Sequence, residues 1–339
     1  MSQHDFTVDN GAGVAVRADI NLALKALASQ SSGASAPSPT FPAQVWADTG
    51  TGRLKQRDAA NANWVDKGPI DGAMAPLDSP VFTGQPQGNF PVVVGSVRNL
   101  RMSVTTASAS GTMTADEVIV KASLGGLAYR IGSFSKAINL ATTGAGGMDV
   151  GTAPVSGYVA LYAIYNPITA ASALLAVNAT SVAAPNIYGG ANMPSGYTAS
   201  ALLTVVATNA SSQFVPVLVN DRDVFFNAIS VLSTTAIVAN LTALSIAAAA
   251  PLNAKAVSGT ITISTGGAGT WVTTISGSAI TTSTGVGLVT ASLGSGSTSL
   301  GAGYPLKNIP LVTPQTIYYS TSTTAGSSST SLAVSHYSI

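Results

Sequence analysis

Apolar residues alternate with polar ones in short runs along most of the chain after Val92. The runs include EVIVKA (Glu117 to Ala122), YVALYAIY (Tyr158 to Tyr165), ALLTVVAT (Ala201 to Thr208), FVPVLV (Phe214 to Val219) and TITIS (Thr260 to Ser264). Clusters of Gly, Pro, Asn and Ser punctuate them, which is the pattern of short strands joined by close turns. Many such strands in succession predict β-sandwich or jelly-roll-like domains.

The first seventy residues read differently. In RADINLALKALASQ (Arg17 to Gln30), Ile20, Leu24 and Leu27 fall at i, i+4 and i+7 with Ala23 beside them, so the segment predicts a helix, stopped by Ser31, Ser32 and Gly33. An extended link containing Pro37, Pro39 and Pro42 follows. Trp46, Leu54 and Trp64 then mark three short strands, with turns at Thr49 to Gly52 and at AANAN, giving a meander with a Trp on each outer strand. A helix and three strands bury little area alone, so this module is expected to lean on another chain.

Between the two parts lies LDSPVFTGQP (Leu77 to Pro86). Pro80 and Pro86 remove backbone donors and push the preceding residues toward extended geometry, while Gly84 permits a bend. Leu77, Val81 and Phe82 then need cover. Either three copies wound about one axis supply it, as a stalk, or the segment lies as an apolar linker on its own sandwich.

The expected organisation is mainly β. Residues 1–70 form a small N-terminal α+β anchoring module and 71–95 an extended connector. Residues 96–228 and 229–339 form two β-sandwich or jelly-roll-like domains, intertwined in a homotrimer if the connector is a stalk. The second boundary follows the DRD triplet at Asp221 to Asp223, the last charge cluster.

Composition sharpens this picture. Apolar residues make up 46% of the 339 and charged residues only 8%, the reverse of a disordered chain. Residues 1–70 hold twelve of the 27 charges, whereas 224–339 hold two, Lys255 and Lys307. So little charge does little to keep copies apart, and an oligomer is expected. A net charge of +1 offers no footprint for nucleic acid, and no basic run suits an anionic membrane. The most apolar stretch, Ile229 to Leu252, is broken by Ser, Thr and Asn, so it reads as strands and a loop, with no membrane insertion. MSQHDFTVDN has no basic region or apolar core, so no cleaved signal is expected and the chain is made in the cytoplasm.

Little catalytic chemistry is legible. Cysteine is absent, and the two histidines, His4 and His336, sit at opposite ends and read as exposed; no metal or cofactor site is expected, although His336 could gather with symmetry mates around an ion at a trimer tip. Polysaccharide cleavage needs paired carboxylates. Beyond residue 95 the carboxylates are Asp116, Glu117, Asp149, Asp221 and Asp223. On a strand Asp221 and Asp223 would share a face about 7 Å apart, but the triplet reads better as a structural ion network. TTGAGGMD (Thr142 to Asp149) lacks the Lys and Ser/Thr of a phosphate loop and reads as a turn. The chain is not expected to be an enzyme. For sugar binding, Tyr188, Asn192 and Tyr197 in IYGGANMPSGY, with Trp271, Tyr304 and Tyr337, are the receptor-binding candidates; Tyr318 and Tyr319 add further aromatics. Each could equally close a sandwich edge or a trimer seam.

Several stretches resemble known proteins. LDSPVFTGQP is similar to the SPxxTGxP connectors of bacteriophage tail-fibre proteins, and RADINLALKAL with VWADTGTGRLKQRDAANANWVDKG resembles their N-terminal regions. TTGAGGMDVGTAPVSGYVALYAIYNP, IYGGANMPSGYTASALL and IPLVTPQTIYYSTS resemble a domain of phage and prophage tail proteins. The resemblance spans most of the chain. It implies a trimeric, mainly β virion appendage. Ile20, Leu24, Leu27, Trp46 and Trp64 would serve virion anchoring and Leu77, Pro80, Val81, Phe82 and Gly84 trimer packing. The partners implied are other virion proteins and a host surface glycan or protein. A structural role without receptor contact (head fibre, decoration protein or tail adaptor) is the alternative, and a polysaccharide depolymerase a further one.

Overall fold

The computed structural model describes residues 3–70, 92–279, 289–296, 300–324 and 327–339. Those residues hold one helix and nineteen strands, and the chain divides into two compact units, Met1–Gly84 and Gln85–Ile339. The protein is mainly β. The connector residues Leu77, Pro80, Val81, Phe82 and Gly84 lie outside the described residues.

In the first unit, helix α1 spans Gly13–Ala28, starting four residues before the expected segment and ending two short of it. Gln30 and Ser31 adopt left-handed backbone angles, and the Ser31 amide donates to the Ala26 carbonyl at 2.7 Å, which turns the chain out of the helix. Ala26 is buried, with Val16, Asp19 and Ala23 partly so. Strands β1 (Val45–Asp48), β2 (Arg53–Arg57) and β3 (Trp64–Pro69) form an antiparallel sheet in that order. Trp46 and Trp64 meet edge to face at 5.3 Å, with Lys55 over the Trp46 ring and Arg57 over Trp64. The meander is as the sequence suggests.

The second unit opens with β4 (Val97–Arg98), β5 (Arg101–Val104), β6 (Ser110–Lys121) and β7 (Ala128–Asn139). Next come β8 (Tyr158–Tyr165), β9 (Ser172–Asn178), β10 (Ala199–Ala207), β11 (Val217–Asn220) and β12 (Asp223–Thr234). The last are β13 (Val238–Ser245), β14 (Ala256–Thr265), β15 (Gly269–Ser276), β16 (Val289–Ser295), β17 (Leu300–Pro310), β18 (Thr316–Thr323) and β19 (Ser328–Ser338). One antiparallel sheet runs β17-β14-β19-β12-β11-β5-β6-β10-β8-β9, with β4 and β7 also paired to β6. A four-stranded sheet, β13-β18-β15-β16, packs on its β14 and β19 part, burying Trp271, Ile275 and Ile317 against Ile261, Ile263 and Leu332.

The expected domain division at residues 228 and 229 falls inside β12. Strands from both sides of it share hydrogen bonds in one sheet, and a single apolar core runs from Leu100 to Tyr337. The packing carries no break there. Charge content falls at that point of the sequence because the later strands carry a single charged side chain among the described residues, Lys307 of β17, not because a separate core begins.

Strand β8 shows how the sequence sets the layers. All eight of its residues are buried: Val159, Leu161, Ala163 and Tyr165 face the main core. Tyr158, Ala160, Tyr162 and Ile164 face a second cluster. The other face of β8 is covered by Ala179, Ala184, Tyr188, Met193 and Tyr197 from the connection between β9 and β10. A strand buried on both sides has no polar face to alternate with, hence YVALYAIY.

Candidate functional site

A cavity of about 430 Å³ opens in the second unit beside the start of β8. Three local features build it. The first is the turn at Ser156 and Gly157. The Gly157 amide donates to Thr208 Oγ1 at 3.1 Å, and any Cβ at Gly157 would collide with Thr180 and Pro154, so glycine is required for this close approach. The second is the tight turn after β13, where Ala249 and Ala250 amides donate to the Ile246 carbonyl at 2.8 and 3.0 Å. The Tyr158 hydroxyl donates to Ala247 at 2.9 Å and pins that turn across the cavity. The third is a bulge in β12: its register with β19 slips between Phe225 and Ile229, bringing Phe226 and Asn227 to the wall and the rim.

The walls are apolar, drawn from Val215, Val217, Val224, Phe226, Ile229 and Tyr337. Among the described residues no charged side chain lines the cavity. Burial raises the pKa of Tyr158, and burial with the nearby Tyr158 holds Tyr337 well above the ordinary phenol value, so both hydroxyls stay neutral. The Asn227 amide and the Ser156 hydroxyl have no hydrogen-bond partner among the described residues and are exposed at the rim. Concave, uncharged and mostly apolar with a few polar groups, this surface suits capture of a small molecule.

The aromatic residues singled out in the sequence divide between core and surface. Tyr337 lines the cavity but is buried, its hydroxyl donating to Val205 at 2.6 Å. Trp271 lies in the core between the two sheets, where its indole N–H donates to Thr330 Oγ1 at 2.6 Å. Its face is covered, so it offers nothing to a receptor. Tyr188 is buried as well: its hydroxyl donates to Asp149 Oδ2 at 3.0 Å and accepts the Asn192 amide at 3.1 Å. The loop IYGGANMPSGY thus covers β8, with Tyr188 as its latch and Tyr197 half-buried; the Asn192 side chain alone of these three residues is exposed. Tyr304 is half-buried and donates to the Ser292 carbonyl. The cavity joins Tyr337 to residues that sequence reasoning missed. One local signal existed, the FFNA break in the alternation of β12 at Phe225 to Ala228.

The carboxylates and histidines depart from expectation in instructive ways. Asp221 and Asp223 do not lie two apart on one strand face. Asn220 pairs with Asp223 across the hairpin from β11 to β12, so Asp221 sits in the turn with left-handed backbone and accepts the Leu100 amide at 2.8 Å. Asp223 instead bonds His336 at 3.0 Å, and the His336 ring stacks on Phe225 at 4.5 Å. Their separate partners fit structural pairing. Nor are the histidines free ends: His4 has only 7% of its side chain exposed and bonds Asp19 of α1 at 2.7 Å, because the N-terminal segment folds back onto the helix. TTGAGGMD is a turn, with Gly144 and Gly146 in left-handed geometry.

In the first unit the apolar stripe of α1 faces away from the sheet: Ile20, Leu24 and Leu27 are 43%, 57% and 63% exposed. Beside Leu27, Phe6 and Phe41 flank a hollow of about 450 Å³ whose lining includes Gln44. The Gln44 side-chain oxygen accepts the Phe41 amide at 3.0 Å, while its nitrogen is buried without a partner among the described residues. Trp46, by contrast, is buried and donates to Gly33 at 3.0 Å, so it holds the module together from within.

The fold and its cavity define a mainly β protein with a hollow of small-molecule size. The chain matches no known protein-family model, and no curated protein matches it.

Proposed function

We propose that this chain is a bacteriophage tail-fibre-type virion protein that works as a homotrimer and adheres to the host surface. It is made in the host cytoplasm and carried on the particle. The first unit attaches to other virion proteins, and the second presents the adhesive surface to a host glycan or protein. The reading is adhesive rather than enzymatic. Weak sites on three linked chains, multiplied over several appendages, raise avidity without new contacts.

The observation that carries this reading is the division of the chain at Gly84 and Gln85. It falls inside LDSPVFTGQP, the segment with the most recognisable fibre-like motif, so the compact units lie on either side of a connector-like sequence. The exposed stripe of α1 supports a docking role for the first unit, and the cavity beside β8 supports a binding role for the second. The exposed stripe suits an adaptor or a head-fibre protein equally well, and imaging of labelled particles separates those positions. The adhesion reading is tested by incubating purified chain with susceptible cells. It should coat them and block infection; failure to bind any susceptible host would move the assignment to a structural role.

A further inference from the structure

The cavity beside Tyr158 carries an unusual hydrogen-bonding inventory. Its three built-in hydroxyls have already spent their protons: Tyr158 donates to Ala247, Tyr337 to Val205, and Thr208 to Pro154 at 2.6 Å. Each of the two phenol oxygens keeps acceptor capacity but has no hydrogen left to give. At the rim, the Asn227 amide and Ser156 hydroxyl both donate and accept, and neither is engaged among the described residues. None of the described lining residues bears a charge.

These facts restrict what fits. An anion would meet acceptor oxygens with no cation to balance it, at the cost of a poorly compensated buried charge. A cation would find no carboxylate. A plain hydrocarbon would fill the walls but leave the rim groups without partners. A ring with C–H groups on one face and hydroxyls along its edge satisfies both, since the hydroxyls bring the hydrogens that the phenols lack. The volume of about 430 Å³ falls in the range of roughly 300–1,000 Å³ typical of small-molecule sites.

We infer that this cavity binds an uncharged saccharide residue, its apolar face against Phe226, Val224 and Ile229 and its hydroxyls toward Tyr158, Asn227 and Ser156. The inference rests on the adhesion reading for its choice of a surface sugar, and it names the ligand class that reading leaves open. It also fixes a specificity: neutral sugars are accepted and acidic ones refused.

Saturation-transfer NMR on the full chain tests it, with methyl glucoside, methyl rhamnoside and methyl N-acetylglucosaminide as neutral probes and glucuronic acid as the acidic one. At least one neutral glycoside should receive saturation at millimolar concentration, and glucuronic acid should not. Ala248 lies exposed on the rim, so Ala248→Trp covers the mouth without entering the core; it should weaken the neutral signal at least tenfold while leaving thermal unfolding unchanged. Asn227→Ala should weaken it about fivefold, the effect of one lost hydrogen bond. No neutral signal, an equal signal in Ala248→Trp, or a preference for glucuronic acid overturns the inference. Cell binding separates the two levels. If wild type and Ala248→Trp coat cells equally, the cavity is not the adhesive site although adhesion stands. If wild type coats no susceptible cell, the adhesion reading falls, and the NMR result still judges the cavity.

Discussion

Tyr188 holds its loop with one hydroxyl, donating to Asp149 and accepting from Asn192, and it packs edge to face on Tyr162 at 5.8 Å. Tyr188→Phe keeps the ring and deletes both bonds, leaving a carboxylate oxygen and an amide short of a partner. Urea unfolding should show a loss of about 1–3 kcal/mol, and limited proteolysis should cut the loop 188–197 faster. From sequence alone this Tyr looks like a sugar platform, because burial depends on what lies across the sheet and no local pattern encodes that. Trp271 misleads for the same reason. Asp48 makes a second residue-scale case. Lys55 at 2.7 Å, Thr51 at 2.6 Å and backbone amides hold its pKa down from 3.8 to about 2. A carboxyl lowered on folding stabilises above its unfolded value and loses that contribution as the pH falls toward its folded one. Asp48→Asn should therefore destabilise the first unit at neutral pH, and the gap from wild type should close as the pH drops from 3.8 to about 2. Trp fluorescence during thermal unfolding at each pH reads this out.

At the scale of elements, periodicity was most informative where one face is exposed. The runs in β6 and β14 alternate and could be read directly; β8 and β10 could be read as strands, but their burial on both faces showed only once the loop over that part of the sheet was known. FVPVLV became strand only from Val217, since Pro216 cannot donate to a ladder. In α1 the i, i+4, i+7 spacing located the helix correctly, yet those positions point outward and the module packs on Ala23 and Ala26 instead. Spacing reports that a stripe exists; it does not report which neighbour covers it. Replacing Ile20, Leu24 and Leu27 together by Ala should change stability by no more than about 0.5 kcal/mol per site, because the side chains are largely exposed and helix propensity is kept. The same variant should fail to incorporate into progeny particles, measured by mass spectrometry of purified virions. Normal incorporation would remove the docking role from this stripe.

For the whole molecule, composition foretold a β-rich chain with little charge, and the three sheets, two of them sharing one continuous core, bear out the mainly β class. It did not reveal that β12 ties both halves of the second unit into one sheet, because strand pairing between residues a hundred positions apart leaves no local trace. Self-association is the central claim at this scale, motivated by 8% charged residues, an apolar connector sequence and a helix stripe left exposed by the described residues. The native mass of the purified full chain, by light scattering behind size-exclusion chromatography at micromolar concentration, tests this most directly. The account predicts a particle of three times the 33.7 kDa chain. A well-folded species of one chain mass, persisting across the concentration range, would contradict it.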